Sequence, residues 1–178
     1  MENIFFTAKP SVNRYLGKRI MCFLEWFEDN YEVPEKLDIY ITGAKYIITI
    51  DWQKATGSCF LPDDKMLNIL IKVSTGDFIE RMRRDGYEAA VNTEIYYLSR
   101  EIQHYYQLID DQSLDEEVVN KGADELTNEY LEYLAKERPY PLERPKRMQI
   151  RQTKARRNAI PRESLAARLS TIRQRQSK

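Results

Sequence analysis

Residues 97–107 read Tyr97-Leu98-Ser99-Arg100-Glu101-Ile102-Gln103-His104-Tyr105-Tyr106-Gln107. They lie inside the most regularly patterned segment of the chain. From Tyr87 to Ile109, the residues Val91, Ile95, Leu98, Ile102, Tyr105 and Ile109 recur at spacings of three and four, which predicts one long helix with a buried stripe. Arg100 and His104 are four positions apart, just over one turn, so they share a side of that helix. Glu101 sits beside them.

The neighbouring segments set the frame around this helix. Downstream, Ser113 is expected to cap a second long helix, with Glu116 at its third position as in a capping box. Val119, Ala123, Leu126, Tyr130 and Tyr133 form its apolar stripe, and Pro139 and Pro141 end it. Upstream, Ser11 to Asn30 reads as an amphipathic helix capped by Ser11, with Val12, Leu16, Ile20, Phe23 and Phe27 facing inward. Between the two lie short alternating or β-branched runs. Leu37–Thr42, Tyr46–Trp52 (with Ile48, Ile50 and Trp52 on one face) and Leu67–Val73 read as strands, and Thr56–Leu61 as a further strand at the sheet edge. Thr75 to Arg84 starts a short helix or a loop. The expected fold class is α+β: an N-terminal helix, a small antiparallel meander of three to four strands, then two long helices.

Composition separates a body from a tail. Residues 1–135 hold 14 Lys+Arg against 25 Asp+Glu, a net charge of −11, and residues 136–178 hold 14 against 3, a net charge of +11. The expected division is a domain over 1–140 and a basic tail over 141–178, with a short helix near 161–174. The acidic body can build a core, since 42% of the residues are hydrophobic. No apolar run approaches the roughly 18 residues of a membrane span, and residues 1–10 lack the layout of a secretory signal. Cys22 and Cys59 are far apart and form no CxxC pair, which fits free thiols in a reducing cytoplasm. In the tail, Arg147, Arg151, Lys154, Arg156 and Arg157 are candidate contacts to a partner. Nucleic acid, the acidic body of another copy and bulk water are all open as what the tail meets.

The chemistry-bearing pattern is Arg100-Glu101-x-x-His104. In HExxH, two histidines on one helix face bind zinc and the glutamate serves as general base. Here the segment resembles the HExxHYYQ stretch of small zincin-type peptidase domains, SprT-like and ImmA/IrrE-like. Thr56-Gly57-Ser58-Cys59-Phe60-Leu61-Pro62 and Leu67-Asn68-Ile69-Leu70-Ile71 resemble the strands beside their cleft. Asn120-Lys121-Gly122-Ala123-Asp124 stands where their third-ligand helix would be. The resemblance spans about residues 11–135, and it implies a zincin-like scaffold with Glu101 as general base and His104 as zinc ligand.

The departures from that pattern redirect the functional expectation. Arg100 replaces the first histidine, and a guanidinium does not shed its proton to bind metal. Asn120 replaces the third ligand. His104 is the chain's one histidine. Arg100 would instead restore the positive charge a metal supplies, pairing with Glu101 or with a carboxylate of the next helix, Glu117 or Asp124 foremost. The expected function is therefore a catalytically inactive, zincin-like binding protein without a cofactor, holding a protein partner in or beside the old cleft. The family analogy suggests a bacterial, phage or plasmid accessory protein. Two alternatives are carried. One is an active zinc peptidase using His104, Glu101 and ligands drawn from Glu116, Glu117, Asp124, Glu125 or Cys59. The other is a nucleic-acid-associated protein acting through its tail. Chance occurrence of RExxH on an ordinary helix is the plain reading against all three, and Tyr96, Tyr97, Tyr105 and Tyr106 are then simple packing residues.

Overall fold

A computed structural model describes residues 1–62, 67–110, 113 and 115–137. The basic tail, with Arg147, Arg151, Lys154, Arg156 and Arg157 and the helix expected near 161–174, lies outside the described residues. Among the described residues, six strands and four helices follow in the order β1 (Ile4–Ala8), α1 (Arg14–Asn30), β2 (Leu37–Thr42), β3 (Ile47–Ile48), β4 (Lys54–Ala55), β5 (Gly57–Phe60), β6 (Ile69–Ser74), α2 (Phe78–Asp85), α3 (Tyr87–Ile109) and α4 (Glu116–Glu137). The α+β class, the strand region between an N-terminal helix and two long C-terminal helices, and the edge strand over 57–60 stand as the residues predict.

The strand pairing corrects the expected antiparallel meander. The main sheet has the order β1-β2-β6-β5, with β1–β2 and β2–β6 parallel and only β5–β6 antiparallel. The physical reason is the strand β1, which precedes α1. Helix α1 carries the chain back across the sheet, so β2 re-enters in the same direction as β1. The β5–β6 reversal then leaves β6 parallel to β2. With no special turn residue or strong alternation, Ile4–Ala8 gave no strand signal. β3 and β4 form a separate two-stranded hairpin.

One face of the sheet is covered by helices. Leu37, Ile39 and Ile41 of β2 and Ile69, Ile71 and Val73 of β6 are buried there with Leu16, Ile20, Phe23 and Phe27 of α1. The spacing of the α1 residues is the one read from the sequence, but Asn13, not Ser11, accepts the N-terminal N–H groups, from Tyr15 and Leu16. α3 is the central element. Val91, Ile95, Leu98, Ile102 and Tyr105 are fully buried, as its stripe predicts. It is sealed on further sides: Ala90, Glu94, Ser99, Glu101, His104 and Gln107 are buried too. Tyr105 Oη accepts the Glu35 N–H at 3.0 Å and donates to the Glu35 carbonyl at 2.9 Å, tying α3 to the segment after α1. α4 is capped by Asp115 rather than by the expected Ser113: the Asp115 carboxylate accepts the N–H groups of Glu117 and Val118.

The hairpin β3–β4 also departs from expectation. Ile47 is its buried residue, whereas Ile48, Ile50 and Trp52, expected to share an inner face, are 47%, 72% and 85% exposed. The two strands are too short to carry an alternating face into the core. The chain turns at Thr49–Trp52 instead of continuing as a strand.

Candidate functional site

The α3 residues singled out by the sequence meet the start of α4 and the strand β5. Arg100 is the hub. Its Nη1 donates to Glu101 Oε1 at 3.3 Å, its Nη2 to Glu116 Oε2 at 2.5 Å, and its Nε to Asn120 Oδ1 at 3.3 Å. Tyr96 Oη donates to the same Asn120 oxygen at 3.3 Å. His104 Nε2 lies 3.7 Å from Glu116 Oε1. Arg100, Glu101, His104, Glu116 and Asn120 thus form one polar cluster between α3 and the start of α4.

Arg100 pairs with Glu101 and with a carboxylate of the next helix, as expected, but not with the carboxylates of that helix expected first. Glu101 is a partner, but the α4 carboxylate is Glu116, not Glu117 or Asp124. The Asp115 cap fixes the helical phase. Val119 and Ala123 face inward, and Glu116 and Asn120, one turn apart, fall beside them on the α3 side. Glu117, Asp124 and Glu125 are exposed, and Glu125 pairs with Lys121 at 3.9 Å.

Glu101 is held from the other side by β5. Ser74 N–H donates to the Thr56 carbonyl at 2.7 Å. In the antiparallel alternation this makes Thr56 and Ser58 the residues bonded to β6, and turns the N–H and C=O of Gly57 and Cys59 off the sheet edge. The Cys59 N–H goes to the Glu101 carboxylate. Gly57 makes the approach feasible, because a Cβ there would stand 2.4 Å from Glu101 Oε1. A second close approach fixes α4 on α3, where a Cβ on Gly122 would meet Gln103 Oε1 at 2.6 Å.

Burial dominates the electrostatics. It raises Glu101 to about 7, against the opposing pull of Arg100, while Glu116 raises it further and the Cys59 N–H lowers it. Burial and the Arg100 charge lower His104 below the usual imidazole value, with Glu116 opposing. Burial, then Glu101, pushes the Cys59 thiol up to about 12, so at neutral pH it is a thiol and not a thiolate ligand or nucleophile. The His104 Nδ1 is buried with no hydrogen-bond partner among the described residues.

This donor set does not fit a zinc ion. Among the described residues, no three His, Cys, Asp or Glu side chains form a group able to hold a metal. The space between Glu101 and Glu116 is filled by the Arg100 guanidinium, a permanent cation.

The tyrosines divide. Tyr105 is core, and Tyr106 Oη donates to the Glu32 carbonyl at 2.8 Å. Tyr97 lies under the Arg81 guanidinium at 5.3 Å, and only Tyr96 reaches the Arg100 cluster. The sequence reading missed Gly57 and the Cys59 N–H as parts of this site. Gly57 carried a usable signal, a glycine inside a strand pattern, which often marks a close approach. A second buried charge, Glu94, also went unread. It pairs with Arg81 at 2.8 Å and ties α2 to α3.

No helix among the described residues is long and apolar enough to cross a membrane. Comparison of the chain with family models, with curated proteins and with solved structures gave no match.

Proposed function

We propose that this chain is a zincin-like scaffold without peptidase activity, working in the cytoplasm as a binding protein that holds an extended segment of a protein partner beside β5. The observation that carries the reading is the place of Arg100. It occupies the position of the first HExxH histidine, and its guanidinium bridges Glu101 and Glu116 while reaching Asn120. It does electrostatically what a dication would do there, keeping two carboxylates together. It supplies no open coordination position and no activated water.

The chain's own groups support a binding role. Glu101 is engaged by Arg100 and by the Cys59 N–H, so it is held in place and not free to activate water. The off-sheet carbonyl of Cys59 and the N–H and C=O of Gly57 leave a short edge on which a peptide can add as a strand. Family analogy alone points to a bacterial or mobile-element accessory protein.

The experiment compares wild type and Arg100→His, each with and without zinc, by thermal unfolding and by incubation with denatured casein. Wild type should neither gain stability from zinc nor cleave casein. Arg100→His, which restores the HExxH letters beside Glu116, should gain a zinc-dependent rise in midpoint. Casein cleavage by wild type, or zinc stabilisation of wild type, overturns the reading.

A further inference from the structure

Strand β1 is an outer edge of the main sheet, and among the described residues only β2 pairs with it. Lys9 N–H donates to the Ile41 carbonyl, and Leu37 N–H to the Asn3 carbonyl, each at 2.9 Å. Successive residues of a strand direct their backbone groups to opposite sides, so Asn3, Phe5, Thr7 and Lys9 bond to β2. Ile4, Phe6 and Ala8 direct theirs outward. Glu28 accepts the Ile4 N–H at 3.2 Å. The N–H and C=O of Phe6 and of Ala8 meet no partner among the described residues. Ile4–Ala8 holds no charged residue and no proline, and its register is unbroken, so it lacks the usual guards of an exposed strand.

A hollow of about 330 Å³ lies beside this edge, lined by residues of β1 and α1. Phe6 and Ala8 share a sheet face with the buried Ile4, and with Val12, Gly17 and Met21 they make its floor. Arg14, Gly17, Lys18 and Met21 stand at spacings of three and four, so one stripe of α1 lines the hollow. A Cβ on Gly17 would meet no atom within 4 Å, so there is room above the helix backbone at that point.

The rim is cationic. Lys9, Arg14 and Lys18 line the hollow, and no carboxylate among the described residues pairs with any of them. Lys9 lies over the Tyr40 ring at 5.4 Å, a contact that leaves its charge uncompensated. Arg19, the next cation of α1, by contrast has Glu88 at 3.2 Å. Unpaired cations run against the trend of residues 1–135, whose net charge is −11.

We propose that the β1 edge and this hollow take an extended, acidic segment of a protein partner, added to the sheet as a strand beside β1. Each part of the site names a property of the occupant. The outward N–H and C=O groups of Phe6 and Ala8 match a peptide backbone, which repeats at two residues, and not a sugar-phosphate one. The apolar floor takes every second side chain. Arg14 and Lys18 take carboxylates. The β1 strand of a second copy lacks that complement, because Ile4–Ala8 holds no carboxylate. This edge lies across the sheet from β5, and the inference does not rest on the proposed function.

The test is fluorescence anisotropy of the full chain with a labelled peptide of alternating valine and glutamate, about ten residues long. It should bind saturably, and its valine–glutamine counterpart at least about tenfold more weakly. Arg14→Glu/Lys18→Glu should weaken the glutamate peptide by a similar factor at an unchanged thermal midpoint, because both side chains are exposed. Gly17→Leu should fill the hollow and weaken it likewise while the protein stays folded. The same peptide N-methylated at alternate residues, which cannot pair as a strand, should not bind. Labelled oligothymidylate, whatever its affinity, should be indifferent to Gly17→Leu. The proposal is overturned by an absence of saturable binding, or by binding indifferent to Gly17→Leu, to the charge reversal or to N-methylation. Oligothymidylate binding that Gly17→Leu weakens equally would overturn it too, by making the hollow a nucleic-acid site.

Discussion

Gly57 and Glu101 touch so closely that no side chain fits between them: the first β-carbon of any other residue would stand 2.4 Å from Glu101 Oε1 and 2.6 Å from its Cδ. The edge strand and the central helix therefore share one backbone-to-carboxylate contact, completed by the Cys59 N–H.

Gly57→Ala should therefore act on the site through Glu101. The buried carboxylate must move, lose the Cys59 N–H and release part of its pairing with Arg100. The cost should be about 1–3 kcal/mol, that of an unsatisfied buried polar group. Chemical denaturation measures it. Gly57→Ala/Glu101→Ala should recover part of the loss, and strict additivity of the two would mean that the contact is not the cause.

Glu101 and His104 give opposite pH signatures. The folded-state value of Glu101, about 7, lies above its ordinary 4.5. The folded protein then binds more protons than the unfolded chain between those values, so this group's contribution falls as pH rises through that window. The total is about 3 kcal/mol by linkage. His104 is lowered from 6.5, so its contribution is present above 6.5 and is lost as pH falls through its depressed value. Unfolding free energies from pH 4 to 8 should show Glu101→Gln removing the decline toward high pH and His104→Gln removing the loss toward low pH. Profiles unchanged in both variants would contradict these environments.

Removing the Arg100 guanidinium should make the Glu101 effect larger. Arg100→Ala strips the cation that holds the buried carboxylate ionised, and Glu101 should answer by taking up a proton. The variant should therefore lose more stability at pH 8 than at pH 6. A loss equal at the two pH values would show that Arg100 contributes packing and not charge.

Leu98→Ala and Ile102→Ala should each cost about 2–5 kcal/mol, because both side chains are fully buried in the centre of α3. Urea midpoints measure this. Either variant unfolding at the wild-type midpoint would place that residue on the wrong face.

The three long helices were legible because each writes its period over several turns, whereas α2, eight residues long, was open as a helix or a loop. The stripe from Val91 to Tyr105 fixed α3 almost to the residue, and His104 and Arg100 were placed with it. The convergence with Glu116 was legible only in part. The α4 phase depends on which residue caps it, and Asp115 and Ser113 are both good caps. Parallel pairing left no mark in Ile4–Ala8, since which strands pair is decided by how α1 crosses the sheet and not by the strand itself. The contribution of Gly57 and the Cys59 N–H is a matter of backbone geometry across the long sequence separation from Glu101, which residue types alone do not encode.

The β1–α1–β2 crossover also bears on how the chain reaches its native state. β1, made before the other described strands, pairs among them only with β2, and β2 begins at Leu37. β2 in turn takes its other neighbour from Ile69–Ser74. The first-made strand must wait for α1 to be synthesised and closed over it, whereas α3 and α4, joined by a short connection, can meet as soon as both exist. Assembly should therefore run against the direction of synthesis: the C-terminal helical pair and the β5–β6 reversal come first, and the N-terminal strand is the last part to lock. Pulsed hydrogen exchange should find the amides of Ile4–Ala8 protected later than those of Leu98–Tyr105.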